Sequence, residues 1–176
     1  KDKGNDFSNQ PERSAESNRI FPSDLQYKGA FRVPVPNGQT YGWLFGGGGL
    51  SYYPKGDPSG PNDGYPGSLF GMGHDQRNYT TEITIPRAVI SQKKRISDLN
   101  TARTLQPFSN LNAGIFYDSG QGAPLRGDVC YLPKMGSQTS DKLYFSFAEH
   151  NEFEQVPSHA WSEINLTHPV VKGPWL

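Results

Sequence analysis

Gly49-Leu50-Ser51-Tyr52-Tyr53-Pro54, Leu69-Phe70, His74 and Glu82-Ile83-Thr84-Ile85 follow one another in the first half of the chain. The second half repeats the order as Gly127-Asp128-Val129-Cys130-Tyr131-Leu132-Pro133, Leu143-Tyr144, His150 and Glu163-Ile164-Asn165-Leu166. Each copy strings three short β-type runs between loops of differing length. A supersecondary unit written twice cannot bury both of its faces alone, so the repeat predicts stacked or radially arranged sheets.

The composition agrees. A chain of 176 residues is long enough for one domain with a real core. Glycine (20) and proline (15) together make about a fifth of it, hydrophobic residues only 34%, yet aromatics reach 12%. Aromatic-rich, turn-rich chains with little charge are typically all-β with short strands and long loops, and a disordered chain would lack the aromatics. Seventeen basic residues balance seventeen acidic ones. Lys93-Lys94-Arg95 is the one compact basic run and reads as a solvated loop, which argues against nucleic acid as partner. No apolar run approaches 18 residues, so no membrane-spanning helix is expected. Residues 1–20 lack the pattern of a signal peptide, and a start at Lys1 suggests a processed or trimmed product.

Cys130 is the single cysteine and excludes an internal disulfide. It lies in an apolar run and is expected to be a small buried hydrophobe; neighbouring Asp128 would not favour a thiolate. Asn78-Tyr79-Thr80 and Asn165-Leu166-Thr167 fit the glycosylation triplet, which has meaning only in a eukaryotic secretory source.

Residues 1–20 read as an N-terminal tail or linker, 21–109 as an entry strand plus a first unit, and 110–176 as a second unit. Tyr27 to Val35 alternates as a strand that Pro34 and Pro36 end or confine to an edge, and Asn37-Gly38 is a turn signal. Tyr41 to Tyr53 reads as an aromatic strand interrupted by Gly46 to Gly49. Pro54 to Gly67 is too rich in Gly, Pro, Asn and Asp to be regular throughout. Further strands are expected at 68–73, 79–85 and 104–108, with a short helical turn or a connection between 88 and 99. In the second unit they are expected at 113–117, 128–132, 142–148 and 161–166. The closing Gly173-Pro174-Trp175-Leu176 reads as the beginning of another strand, as though the chain were a fragment.

Three phrases together resemble a blade of secreted bacterial β-propeller proteins. They are Gly48 to Pro54, then Gly67-Ser68-Leu69-Phe70-Gly71-Met72-Gly73-His74-Asp75, then Thr81-Glu82-Ile83-Thr84-Ile85-Pro86. Tyr27 to Pro34 is similar to the entry strand of such chains, and Ser158-His159-Ala160-Trp161 and Gly173-Pro174-Trp175 to other phrases in them. The resemblance covers roughly residues 25 to 176. It implies four-stranded antiparallel blades of a partial β-propeller in a secreted or cell-surface protein, with a β-sandwich as the alternative. A propeller takes about four blades or more to close. Two units therefore imply completion by remaining blades or another protein chain. The favoured function is a structural or binding module, and the alternative is a hydrolase or lyase fragment.

No constellation in the sequence settles that choice. Gly46 to Gly49 lacks the Gly-Lys-Ser/Thr and the helix of a phosphate loop and reads as close backbone packing. His74-Asp75 and Glu149-His150 occupy comparable places after a strand in each unit. Radial units would bring them to one rim as acid–base partners, the enzyme reading; otherwise they stabilise turns. His159 and His168 lack helical zinc spacing. Asp57, Asn62 and Asp63 form an oxygen-donor loop that suits calcium, or an ordinary Asx-turn loop, and the twelve-residue calcium-loop pattern is absent. Tyr41, Trp43, Tyr52, Tyr53, Tyr65, Trp161 and Trp175 could stack on carbohydrate or pack between units. No nucleophile elbow occurs.

Overall fold

The computed structural model describes residues 19–35, 42–44, 46, 48–74, 79–111, 113, 115, 126–148 and 157–175, with the side chains at 61, 63, 126 and 148 left aside. The protein is all-β, with two antiparallel four-stranded sheets. The first is the meander β1 (Leu50–Tyr53), β2 (Gly64–Met72), β3 (Thr80–Pro86) and β4 (Thr104–Ser109). The second is the meander β5 (Arg126–Leu132), β6 (Lys142–Ala148), β7 (His159–Glu163) and β8 (Val171–Trp175). Among the described residues, helical content is one turn at Gly60–Asp63 and two 3₁₀ turns at Pro22–Asp24 and Ile96–Asp98.

Strand alternation divides each sheet into two faces, because successive side chains point to opposite sides. Phe70 and Met72 of β2 pack with Val129 of β5, Leu143, Phe145 and Phe147 of β6 and Ala160 of β7 in one core between the sheets. Leu111 and Leu166 close the ends of that core. Ser51, Tyr53, Ser68 and Glu82 share the Phe70 face, since Ser51 pairs with Phe70, Tyr53 with Ser68 and Phe70 with Glu82. Leu50, Tyr52, Leu69, Gly71 and Ile83 form the opposite face of the first sheet. Cys130, Leu132, Lys142, Tyr144, His159 and Trp161 form the opposite face of the second.

Most sequence expectations reappear as strands, and the differences have local causes. Tyr27 to Val35 makes only isolated bridges, Ala30 with Val89 and Arg32 with Thr101. Gly29 explains the irregularity: its φ is +119°, and a Cβ there would lie 2.7 Å from the Val89 backbone. The 41–53 segment is regular only as β1. β2 begins earlier than expected, at Gly64, and carries a bulge between Tyr65 and Ser68 where Gly67 adopts φ +82°. The strand expected at 161–166 is instead β7, displaced toward the N-terminus, and the fourth strand of the second sheet is β8. Ala113 sits in a turn at φ 47°, and most of the 113–117 strand expectation lies outside the described residues.

Cys130 corrects its expectation outright: it is exposed. Its apolar neighbours Val129 and Tyr131 point into the intersheet core, so alternation places Cys130 on the outside.

Candidate functional site

The sheets meet along a seam that is polar as well as apolar. Glu82, buried in β3, accepts the Ser68 hydroxyl on Oε1 at 2.5 Å and the Gln106 side-chain amide on Oε2 at 2.7 Å. The same Gln106 amide also donates to the Ile164 carbonyl at 3.0 Å, and Gln106 Oε1 accepts the Leu166 backbone N–H at 2.8 Å. One glutamine of the first sheet thus satisfies backbone groups of the second while holding a buried carboxylate. Nearby, the Ser51 hydroxyl accepts the Tyr131 N–H at 2.7 Å, and the rings of Tyr53 and Tyr131 lie 5.0 Å apart.

At the end of this seam the Lys55 ammonium meets the Asp141 carboxylate at 2.8 Å, and Asp141 also accepts the Lys134 N–H at 2.8 Å. These bonds, that from Lys55 first, hold the Asp141 carboxyl below the ordinary aspartate value of 3.8. Burial, then the negative charge of Asp141, pushes the Tyr53 and Tyr131 hydroxyls upward. On the far side of the second sheet, Glu163 is held low chiefly by the hydrogen bond from Lys142. A carboxyl depressed by folding stabilises the fold above its unfolded value and loses that contribution as pH falls through the folded one. Stability is therefore expected to decline as pH drops below about 4. Asp141→Asn is expected to flatten part of that acid limb in melts run from pH 7 to 3, and an unchanged limb would remove Asp141 from the account.

The structure describes only some of the residues singled out in the sequence. His74 lies two residues beyond β2 and is half-buried, while Asp75, Glu149 and His150 lie outside the described residues. Asp57 is buried, with φ 39° and a side chain only 2% exposed. Its Oδ1 accepts the backbone N–H (3.2 Å) and hydroxyl (2.7 Å) of Ser59, and Arg103 stands 4.0 Å away. Its Oδ2 is buried without a hydrogen bond. Asn62 is exposed on the one-turn helix, and the Asp63 side chain is not among those described. Among the described residues no three His, Cys, Asp or Glu side chains gather as a metal would require.

The aromatic residues divide between seam and surface. Tyr53 belongs to the seam, and Trp43 lies over Gly71, with its ring edge-on to Phe108 at 5.3 Å. Tyr52 and Tyr65 are exposed, and Tyr41 lies outside the described residues. The outer face of the second sheet carries the densest group. Tyr144 stacks on His159 at 5.7 Å, Trp161 receives Lys142 at 4.5 Å and Lys172 at 5.7 Å, and Trp175 pairs with His159 at the β8 edge. Lys142 is itself buried there, bonded to Glu163 and Ser140. As a site residue His159 was weighed in the sequence only for zinc, and Tyr144 and Lys142 entered only as parts of strands. The strict alternation of 142–148 against 159–163 is the signal that places them together, once the register is known.

That register relates the two units position by position. Tyr52 opposes Leu69 and Leu69 opposes Ile83; Tyr131 opposes Leu143 and Leu143 opposes Ser162. Those pairings alone would also let Tyr53 match Tyr131, and the backbone bonding decides between the two. Met72 N–H donates to the Gly49 carbonyl, so the Phe70 face of β2 bonds to β1, whereas Phe147 N–H donates to the Ser158 carbonyl, so in β6 the Phe145 face bonds to β7 and the Tyr144 face to β5. Phe70 therefore corresponds to Tyr144, and with Leu69 set on Leu143, Tyr52 corresponds to Tyr131, Leu50 to Val129 and Glu82 to Trp161. The Glu82 and Glu163 phrases stand two residues out of step. The face that the first sheet turns toward the second corresponds to the outward face of the second. The sheets are thus related head to tail, not face to face.

No protein-family model matches the chain, and neither does any curated protein or solved structure.

Proposed function

We propose that this chain is a structural and binding module of the β-propeller type, secreted or displayed at a cell surface, whose two sheets are consecutive radial units. The observation that carries the reading is the head-to-tail relation of the sheets. A sandwich turns equivalent faces toward each other, whereas radial units each turn one face forward and the other back. The resemblance of the blade phrases to secreted bacterial propellers supports the extracellular setting. Aromatic side chains on the outward face of the second sheet, Tyr144, Trp161 and Trp175, suit a binding role, because they offer apolar area with polar tips.

A radial pair leaves two faces to be covered by further sheets. The mass of the native polypeptide and of its assembly in solution tests the reading. The expected result is either a polypeptide heavier than 19.5 kDa or an assembly of several chains. A native monomer of 19.5 kDa overturns it.

A further inference from the structure

Two faces of this molecule are open in part, and they are not alike: on the first sheet Thr81 and Ile83 of β3 are each 1% exposed, so the open part is the β1 side, and on the second Lys142 is buried. On the first sheet, Leu50 and Tyr52 are 57% and 49% exposed beside Leu69, with the Trp43 ring over Gly71. On the second, Leu132 and Trp175 are 39% and 44% exposed beside Tyr144 and Trp161. Apolar side chains exposed next to one another on an ordered sheet suit an interaction surface.

The internal seam shows what each face accepts. Val129, Tyr131 and Leu143 of the second sheet dock against Ser51, Tyr53 and Phe70 of the first. In the register above, Leu50, Tyr52 and Leu69 occupy the places of Val129, Tyr131 and Leu143. Cys130, Leu132 and Tyr144 likewise occupy the places of Ser51, Tyr53 and Phe70. The open face of the first sheet is therefore built like the surface that the second sheet already presents to its neighbour. Trp43 over Gly71 supplies aromatic bulk where the second sheet has Phe145. Charge does not oppose the match. On the open face, β1, β2 and β3 present no charged side chain; on the other face the buried Lys142 is neutralised by Glu163, Lys172 lies over the Trp161 ring, and Asp128 adds a negative charge at the far end of β5, so no like charges are brought together.

We propose that the outward face of the second sheet docks the open face of the first sheet of a second copy of this chain, head to tail, continuing the internal seam. Such a contact is heterologous, and it closes into a ring if the rotation permits. With two sheets per chain, roughly two to four copies complete the four to eight sheets of a propeller. Tyr52 of the second copy then lies against Cys130 and Leu132, as Tyr131 lies against Ser51 and Tyr53. The inference rests on the radial reading above and adds the identity of the partner.

Cys130 makes the contact testable. Tyr52→Cys places a thiol where the seam geometry brings it beside Cys130 of the next copy. Mild oxidation is expected to link copies by a disulfide between positions 52 and 130, identified by peptide mapping, and adding Cys130→Ser is expected to abolish the link. Light scattering on the unaltered 176-residue chain is expected to give at least twice 19.5 kDa. Tyr52→Arg and Leu132→Arg each spoil one of the two faces. Each variant alone is expected to be monomeric, whereas their mixture forms a dimer held by the one intact pair of faces.

A monomeric unaltered chain overturns the proposal, as does a Tyr52→Cys variant that forms no 52–130 link or only a 130–130 link from a face pairing with itself. If that monomer is accompanied by a native polypeptide heavier than 19.5 kDa, the partner is a further part of the same chain, and the radial reading survives. If the native polypeptide is itself a 19.5 kDa monomer, both readings fall.

Discussion

Phe145→Ala is expected to cost about 3–5 kcal/mol, a large share of the roughly 5–15 kcal/mol that holds a domain folded. Phe145 is 1% exposed and sits edge-on to Phe147 at 5.4 Å. It is flanked in the sheet by Val129 and Ala160, and its core partners Phe70 and Met72 belong to the other sheet. Its removal opens a cavity at the seam, so both sheets lose packing at once. Urea unfolding followed by far-ultraviolet dichroism measures the loss. Segment-resolved hydrogen exchange is expected to show β2 and β6 opening with one common free energy. The exposed Ile96→Ala is the control and should shift stability by no more than about 0.5 kcal/mol. A Phe145→Ala effect that small would show that the sheets do not share a core.

Gln106→Leu is expected to be nearly as damaging, at roughly 3 kcal/mol, for the opposite reason. Leucine keeps much of the volume but abandons three partners: the Glu82 carboxylate, the Ile164 carbonyl and the Leu166 N–H. Leaving buried polar groups unpaired costs more than their hydrogen bonds contribute, and a buried carboxylate is the most demanding of them. Because Glu82 and Gln106 act as one network, Glu82→Leu should cost less in the Gln106→Leu background than alone, giving a coupling of about 0.5–3 kcal/mol in a double-mutant cycle. Additive losses would mean that the network does not exist in solution. The Leu166 amide offers a local readout, since its exchange should accelerate when Gln106 Oε1 is gone.

The contrast between these two residues shows where the sequence is legible. Phe145 stands in Lys142 to Ala148, whose alternation marks a strand with one apolar face. Gln106 stands in an outer strand among Thr104, Leu105 and Pro107, where a polar residue reads as solvated. Only the loop after β7, arriving from 58 residues away, half-buries it and gives it partners. Cys130 fails for a related reason. An apolar run predicts burial, but a strand with one open face buries alternate residues only. β7 spans His159–Glu163 rather than the expected 161–166, and a shift of two residues keeps every side chain on its own face, so the hydrophobic pattern alone does not oppose it. Among the proposed site residues, Asp57 is the one whose described geometry departs from an ordinary loop, through its buried unpaired Oδ2. Sequence could not show this, because that burial depends on how the loop folds back rather than on the residues beside it.

By itself the sequence determined that the chain is all-β and that most strands lie between glycine and proline punctuation. It also shows three β-type phrases in the same order in each half. These are local matters, set by side-chain alternation and by the backbone limits of glycine and proline. Only the tertiary structure decided which face of each unit is inside. Alternation defines two faces but assigns neither, and the assignment follows from the energy of burying Phe70 and Met72 against Phe145 and Phe147. That choice makes the two units head to tail and leaves Tyr52 and Cys130 on open faces.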